Sequence, residues 1–126
     1  MSAEDRLLPA DELPDGFEYP EEFLRIVERG LLYFEPWWVI EGDQLRVRAQ
    51  GMAERYPDRR LVPFARREDS DDVACFEQGK GQRVQLVHDF ASPGYEQRGE
   101  LDSVGDWLRL ALETMLEFDA DASSDD

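Results

Sequence analysis

The apolar positions of this chain switch repeatedly between the three-to-four spacing of a helix and the alternation of a strand. Phe23, Ile26 and Val27 recur at helical spacing after Pro20, which suits a first helical position. Glu21 and Glu22 lie at the positive end of that helix dipole, and Gly30 stands where a C′ glycine would stop it. Leu31–Ile40 (LLYFEPWWVI) is aromatic and β-branched, which predicts a strand broken at Pro36, because proline cannot donate to a central ladder. Successive strand side chains face opposite ways, so one of Trp37 and Trp38 is expected in the core. Residues 43–56 fit two patterns. Leu45, Val47 and Ala49 alternate as in a strand, whereas Leu45, Ala49, Met52, Ala53 and Tyr56 keep helical spacing over a longer span. The longer pattern favours a helix with Asp43 as N-cap, against which Gly51 costs about 1 kcal/mol relative to alanine.

Strands follow near 61–66, 72–77 and 82–90, with a short one near 95–99. The turn-forming stretches Arg66–Asp72 and Gly79–Gly81 join them as an antiparallel meander. Val104, Trp107, Leu108, Ala111, Met115 and Phe118, with Leu112 beside them, form a last helix opened by the capping-box-like Ser103 and Asp106. Together these elements predict an α+β fold. Its central antiparallel β-sheet has about four to six strands and is flanked by helices, with the C-terminal amphipathic helix packed on it. Residues 1–16 read as a polar acidic lead-in, 17–118 as a single domain and 119–126 as a disordered acidic tail. Leu7, Leu8, Leu13 and Phe17 are placed to dock the lead-in on the domain.

Three stretches of the meander carry a resemblance. They are Leu61-Val62-Pro63-Phe64-Ala65, then Asp71-Asp72 before Val73-Ala74-Cys75-Phe76, then Val87-His88-Asp89-Phe90-Ala91-Ser92-Pro93-Gly94. With the Trp-bearing last helix, they resemble the SUKH superfamily, which groups bacterial toxin-immunity proteins with fungal regulators of cell-wall synthesis. The resemblance covers residues 17–118. It implies an α+β scaffold that binds other proteins, and for many bacterial members one that neutralises a nuclease or other toxin. It supplies no catalytic residues and no cofactor to carry over.

The chain has 126 residues and a net charge of −16, yet the charge is unevenly spread. Residues 1–22 hold eight acids against one arginine, and 117–126 hold five acids and no base. The middle is only mildly acidic, and its bases are arginines apart from Lys80. Direct nucleic-acid binding is not expected, because phosphate contacts need lysine and arginine. A basic toxin domain fits the charge of the two ends. No stretch has the roughly 20 apolar residues of a membrane span, the first residues lack the pattern of a signal peptide, and the lone Cys75 suits a reducing compartment. A cytoplasmic protein is expected.

Reactive chemistry has few candidates. If Gln78–Gly81 closes its hairpin without a bulge, Glu77 faces Gln82, Cys75 faces Val84, Val73 faces Leu86 and Asp71 faces His88. Cys75 and His88 then share a sheet face but lie two cross-strand pairs apart, too far for proton transfer, and Cys75 reads as a small buried hydrophobe. Asp69, Asp71 and Asp72 lack the glycine and glutamate that an EF-hand loop requires, and read as an Asx-rich turn. One histidine and one cysteine make no zinc site alone. No metal or cofactor is therefore expected. Trp, Tyr and Arg are the residue types enriched at binding hot spots. On that ground the candidate protein-binding residues are Trp37, Trp38, Arg59, Arg60, Arg66, Arg67 and Tyr95. The expected function is non-enzymatic binding of a protein partner, of the toxin-neutralising immunity type. The alternatives are a regulatory SUKH-like scaffold without a toxin, or a small hydrolase or metal-dependent enzyme using Asp69–Asp72 and His88.

Overall fold

Six antiparallel strands pair in chain order among residues 3–124, the part of the chain that the computed structural model describes; side chains are described for residues 5–118. The strands are β1 (Tyr33–Phe34), β2 (Trp37–Val39), β3 (Leu61–Arg67), β4 (Asp72–Glu77), β5 (Val84–His88) and β6 (Gln97–Leu101). Helix α1 (Glu21–Glu28) precedes the sheet, α2 (Gly42–Arg55) joins β2 to β3, and α3 (Val104–Ser124) follows β6. This is the expected α+β fold, at the upper end of the expected strand count.

Local sequence explains most boundaries. Helix α1 starts one residue later than expected, with Pro20 at the N-cap. It stops in a Schellman arrangement: Gly30, at φ +71°, donates to the Val27 carbonyl and Leu31 donates to the Ile26 carbonyl. The break expected at Pro36 is a chain reversal, so Leu31–Ile40 forms two paired strands in place of one interrupted strand. Residues 42–55 are helical, as the longer apolar pattern favoured. Their N-cap, however, is Glu41, and Asp43 lies in the first turn, where its charge meets the positive helix end. The backbone of α3 continues to Ser124, past the boundary drawn at Phe118; Asp125 and Asp126 lie outside the described residues.

The β4–β5 register corrects the sequence reading by one residue. Asp72 faces His88, Val73 faces Val87, Ala74 faces Leu86 and Cys75 faces Gln85. The cause is the turn. Gly79 and Gly81 both adopt positive φ, and the loop spans Gln78–Arg83 in place of four residues. A one-residue slip moves side chains to the other face. Cys75 and His88 therefore lie on opposite sides of the sheet, not on one. The strand ends also shift: β5 runs from Val84 to His88, inside the expected 82–90, and β6 from Gln97 to Leu101, two residues later than expected.

The sheet separates two layers. On one face α1 and α3 bury Phe23, Val27, Trp107 and Ala111 against Phe64 and Phe76, whose rings stack at 4.5 Å. A bulge between Pro63 and Ala65 turns both Phe64 and Ala65 into this core. Trp107 meets Phe64 and Trp37 edge-on at 5.0 and 5.7 Å. Leu7 and Leu8 are buried in the same cluster, and Leu13 and Phe17 pack beside it, so the lead-in docks as its apolar residues foretold. On the other face α2 lays Met52 and Tyr56 on Val73, Cys75 and Val87. That helix covers the middle of its face and leaves Tyr33 and Trp38 exposed at the β1–β2 end.

Candidate functional site

The open end of the α2 side, at β1–β3, carries exposed aromatic side chains. Tyr33 faces Trp38 across β1–β2, and Trp38 faces Arg66 across β2–β3, so all three point to this side. The Tyr33 and Trp38 rings lie 4.1 Å apart, with Tyr33 45% and Trp38 39% exposed. Glu68 holds the pair in place: it accepts from Trp38 Nε1 at 2.8 Å and from the Tyr33 hydroxyl at 3.3 Å. Desolvation, with the Glu35 and Glu68 carboxylates, pushes the Tyr33 phenol up to about 12.

Arg66 leads from this pair into a cleft of about 560 Å³. One face of α2 forms its wall, with Gln44, Val47, Arg48, Gly51 and Arg55 at helical spacing, and Phe90 closes it. Val47 is 70% and Phe90 60% exposed. Phe90 sits at φ +69°, a region that a bulky side chain rarely occupies. Asp89 explains how it is held. The Asp89 side chain is wholly buried and accepts from Arg55 Nε and Nη2 at 2.7 Å each, and from Arg48 Nη1 at 2.6 Å. It also accepts from the Phe90 N–H at 2.9 Å. Burial opposes its charge, but the two guanidinium groups and that N–H prevail and hold the carboxyl below its ordinary value. Arg55 in turn lies 4.1 Å from the centre of the Phe90 ring. Tyr56 ties down the next residues by donating to the Ala91 carbonyl at 2.8 Å.

Of the residues chosen from sequence, Trp38 and Arg66 come together here. Trp37 is buried on the opposite face, where Arg67 lies 5.9 Å from its ring and pairs with Asp69 at 2.8 and 2.9 Å. Arg59 is engaged within the molecule, reaching Glu77 and Glu96 at 2.8 Å. Arg60 donates to the Pro57 carbonyl and lines a groove of about 590 Å³ between the lead-in and α2. Tyr95 is exposed in the β5–β6 connection, away from the Trp38–Arg66 pair in the pairing order. Arg55, which also flanks the central strand in the sequence, joins Arg66 in the cleft, whereas Val47, Arg48, Asp89 and Phe90 were missed. The polar face of α2 was legible as positions three and four apart, but Phe90 read as an ordinary strand residue.

The acid and thiol candidates stand elsewhere. His88 Nδ1 lies 2.8 Å from Asp72 Oδ1, and the Asp89 N–H donates to the Asp71 carbonyl, which binds two of the motif's stretches together. Burial pushes the Cys75 thiol well above its ordinary value. At the far end of the α2 side, Glu77, Glu96 and Glu100 line a shallow polar pocket with Arg59 and Gln85. Burial raises the Glu96 carboxyl, but backbone N–H groups and Arg59 outweigh it and keep the group below its ordinary value. A hydrogen bond from Gln85 lowers Glu100, against desolvation. Among the described residues, no three His, Cys, Asp or Glu side chains converge to hold a metal ion, and no helix is long and apolar enough to cross a membrane. No protein-family model matches this chain, and no curated protein or solved structure matches it.

Proposed function

We propose that this chain is a SUKH-like, non-enzymatic protein-binding domain of the immunity type, which binds and neutralises a toxin in the cytoplasm through its Tyr33–Trp38–Arg66–Phe90 face. The observation that carries the reading is the concentration of exposed aromatic rings beside arginines at the end of the sheet that α2 leaves open. These are the side chains that dominate binding energy when a partner desolvates them. Phe90 strengthens the point, because a bulky residue held at positive φ and left largely in water does little for folding. The separation of Cys75 from His88 and the depressed carboxylates at the far end favour binding over catalysis. The acidic ends of the chain would steer a basic partner, over a range that salt limits to about 8 Å.

The test is affinity capture from the source cells, followed by growth protection against the captured protein. Folded Trp38→Ala should lose at least about 2 kcal/mol of affinity, roughly thirtyfold. Turnover of a small substrate that disappears in a folded His88→Ala variant would overturn the reading and put the hydrolase or metal-dependent enzyme first.

A further inference from the structure

The cleft beside Trp38 has a charge unlike that of the rest of the chain. Arg48, Arg55 and Arg66 line it against Asp43, on a protein whose net charge is −16. Asp89 lies behind and engages Arg48 and Arg55. Arg66 is different: it is half-buried, and among the described residues it has no side-chain hydrogen bond or ion pair. A guanidinium offers five N–H donors in a planar fork that matches a carboxylate. Beside it, Val47, Phe90 and the buried Ile40 give the cleft an apolar wall.

We propose that this cleft receives an acidic side chain, Asp or Glu, flanked by a large aliphatic residue on a loop of the protein partner. The carboxylate pairs with Arg66, and the aliphatic group packs on Val47 and the Phe90 ring. A lysine or arginine beside Arg66 would meet an unpaired guanidinium and is disfavoured there. Such a partner presents a local acid to the cleft, whatever charge the acidic ends of this chain attract elsewhere on it. The Asp89 clamp supplies the rigidity. It fixes Arg48 and Arg55 and, through Arg55, the Phe90 ring, so the apolar wall is formed before the partner arrives.

This inference rests on the protein-binding reading but is tested without the partner. The full chain, labelled with nitrogen-15, is titrated with acetyl-Leu-Glu-Leu-amide and with acetyl-Leu-Gln-Leu-amide. The glutamate peptide should give saturable shifts at Val47, Phe90 and the Arg66 side chain, and bind about tenfold more tightly than the glutamine peptide, as charged hydrogen bonds require. Arg66→Gln should erase that tenfold preference without unfolding the chain, and Phe90→Gly should weaken both peptides alike. Equal binding of the two peptides, shifts centred elsewhere, or no saturation would overturn the inference. Inorganic phosphate saturating the same resonances as tightly as the glutamate peptide would replace the acidic loop with a phosphate-bearing partner. Shifts that depend on protein concentration alone would replace it with a second copy of the chain. If the peptides fail while a Trp38-dependent partner is still captured, the inference falls and the protein-binding reading stands. If Trp38→Ala captures as well as wild type, that reading falls too.

Discussion

The Arg55 guanidinium lies 4.1 Å from the centre of the Phe90 ring while two of its nitrogens grip the buried Asp89 carboxylate. One side chain thus connects the interior of the protein to the one non-glycine residue at positive φ among the described residues. The arrangement leads to several expectations about stability and binding.

Phe90 should tolerate glycine better than alanine. Both variants lose the contact with Arg55, but glycine relieves the positive φ, which costs a residue with a Cβ about 1–2 kcal/mol, whereas alanine keeps that cost. Urea unfolding should place Phe90→Gly about 1 kcal/mol above Phe90→Ala. The opposite order would mean that the left-handed backbone is not under strain.

Gly51 should resist the substitution that helix propensity recommends. Alanine in a helix interior gains about 1 kcal/mol over glycine. Here the new methyl group would meet Arg55 Nη1 at 2.9 Å, and Arg55 is not free to move while Asp89 holds it. Gly51→Ala alone should therefore gain nothing or lose stability. In an Arg55→Ala background it should gain about 1 kcal/mol. A double-mutant cycle measures the difference, and simple additivity would contradict the proposed clash.

Asp89 should shape the acid limb of the stability curve. Its carboxyl titrates lower in the folded protein than in the unfolded chain, so its stabilisation is complete above roughly pH 5. It is lost as pH falls below about 4, through the depressed folded value. Asp89→Asn should cost about 2 kcal/mol near neutral pH, less than a fully buried pair, because both arginines remain partly in water and can rehydrate. The variant should also lose less stability between pH 5 and 3 than wild type does. Parallel curves for the two proteins would show that Asp89 is not the titrating group.

Much of this fold was legible because its signals are local. The Gly30 stop, the Trp107-bearing stripe of α3 and the apolar runs of β3, β4 and β5 each occupy one short segment with one period. The β4–β5 register was not, because it depends on how the Gly79 and Gly81 turn counts its residues. The site was only partly legible for a related reason. Trp38 and Arg66 are neighbours only because α2 returns the chain to pair β3 with β2, a relationship that neither residue's surroundings announce. The backbone of Phe90 and the two arginines on Asp89 are likewise products of tertiary packing. Arg59 had the right residue type for a hot spot, but Glu77 and Glu96 engage it first.

Cys75 should be chemically silent in the folded protein. It is fully buried beneath α2 with its thiol held protonated by desolvation. Labelling with a disulfide reagent should be slow in native buffer and fast in denaturant. Rapid labelling of the native chain would reveal an accessible thiolate and reopen a nucleophilic role.

The central claim is that the Tyr33–Trp38–Arg66–Phe90 face binds a protein. Calorimetric titration of the captured partner, purified, into wild type and into folded Trp38→Ala tests it most directly. Arg25→Ala, on α1 at the opposite face of the sheet, serves as the control. The account requires the dissociation constant to rise about thirtyfold or more for Trp38→Ala and to stay unchanged for Arg25→Ala. Equal affinity of Trp38→Ala and wild type would contradict it.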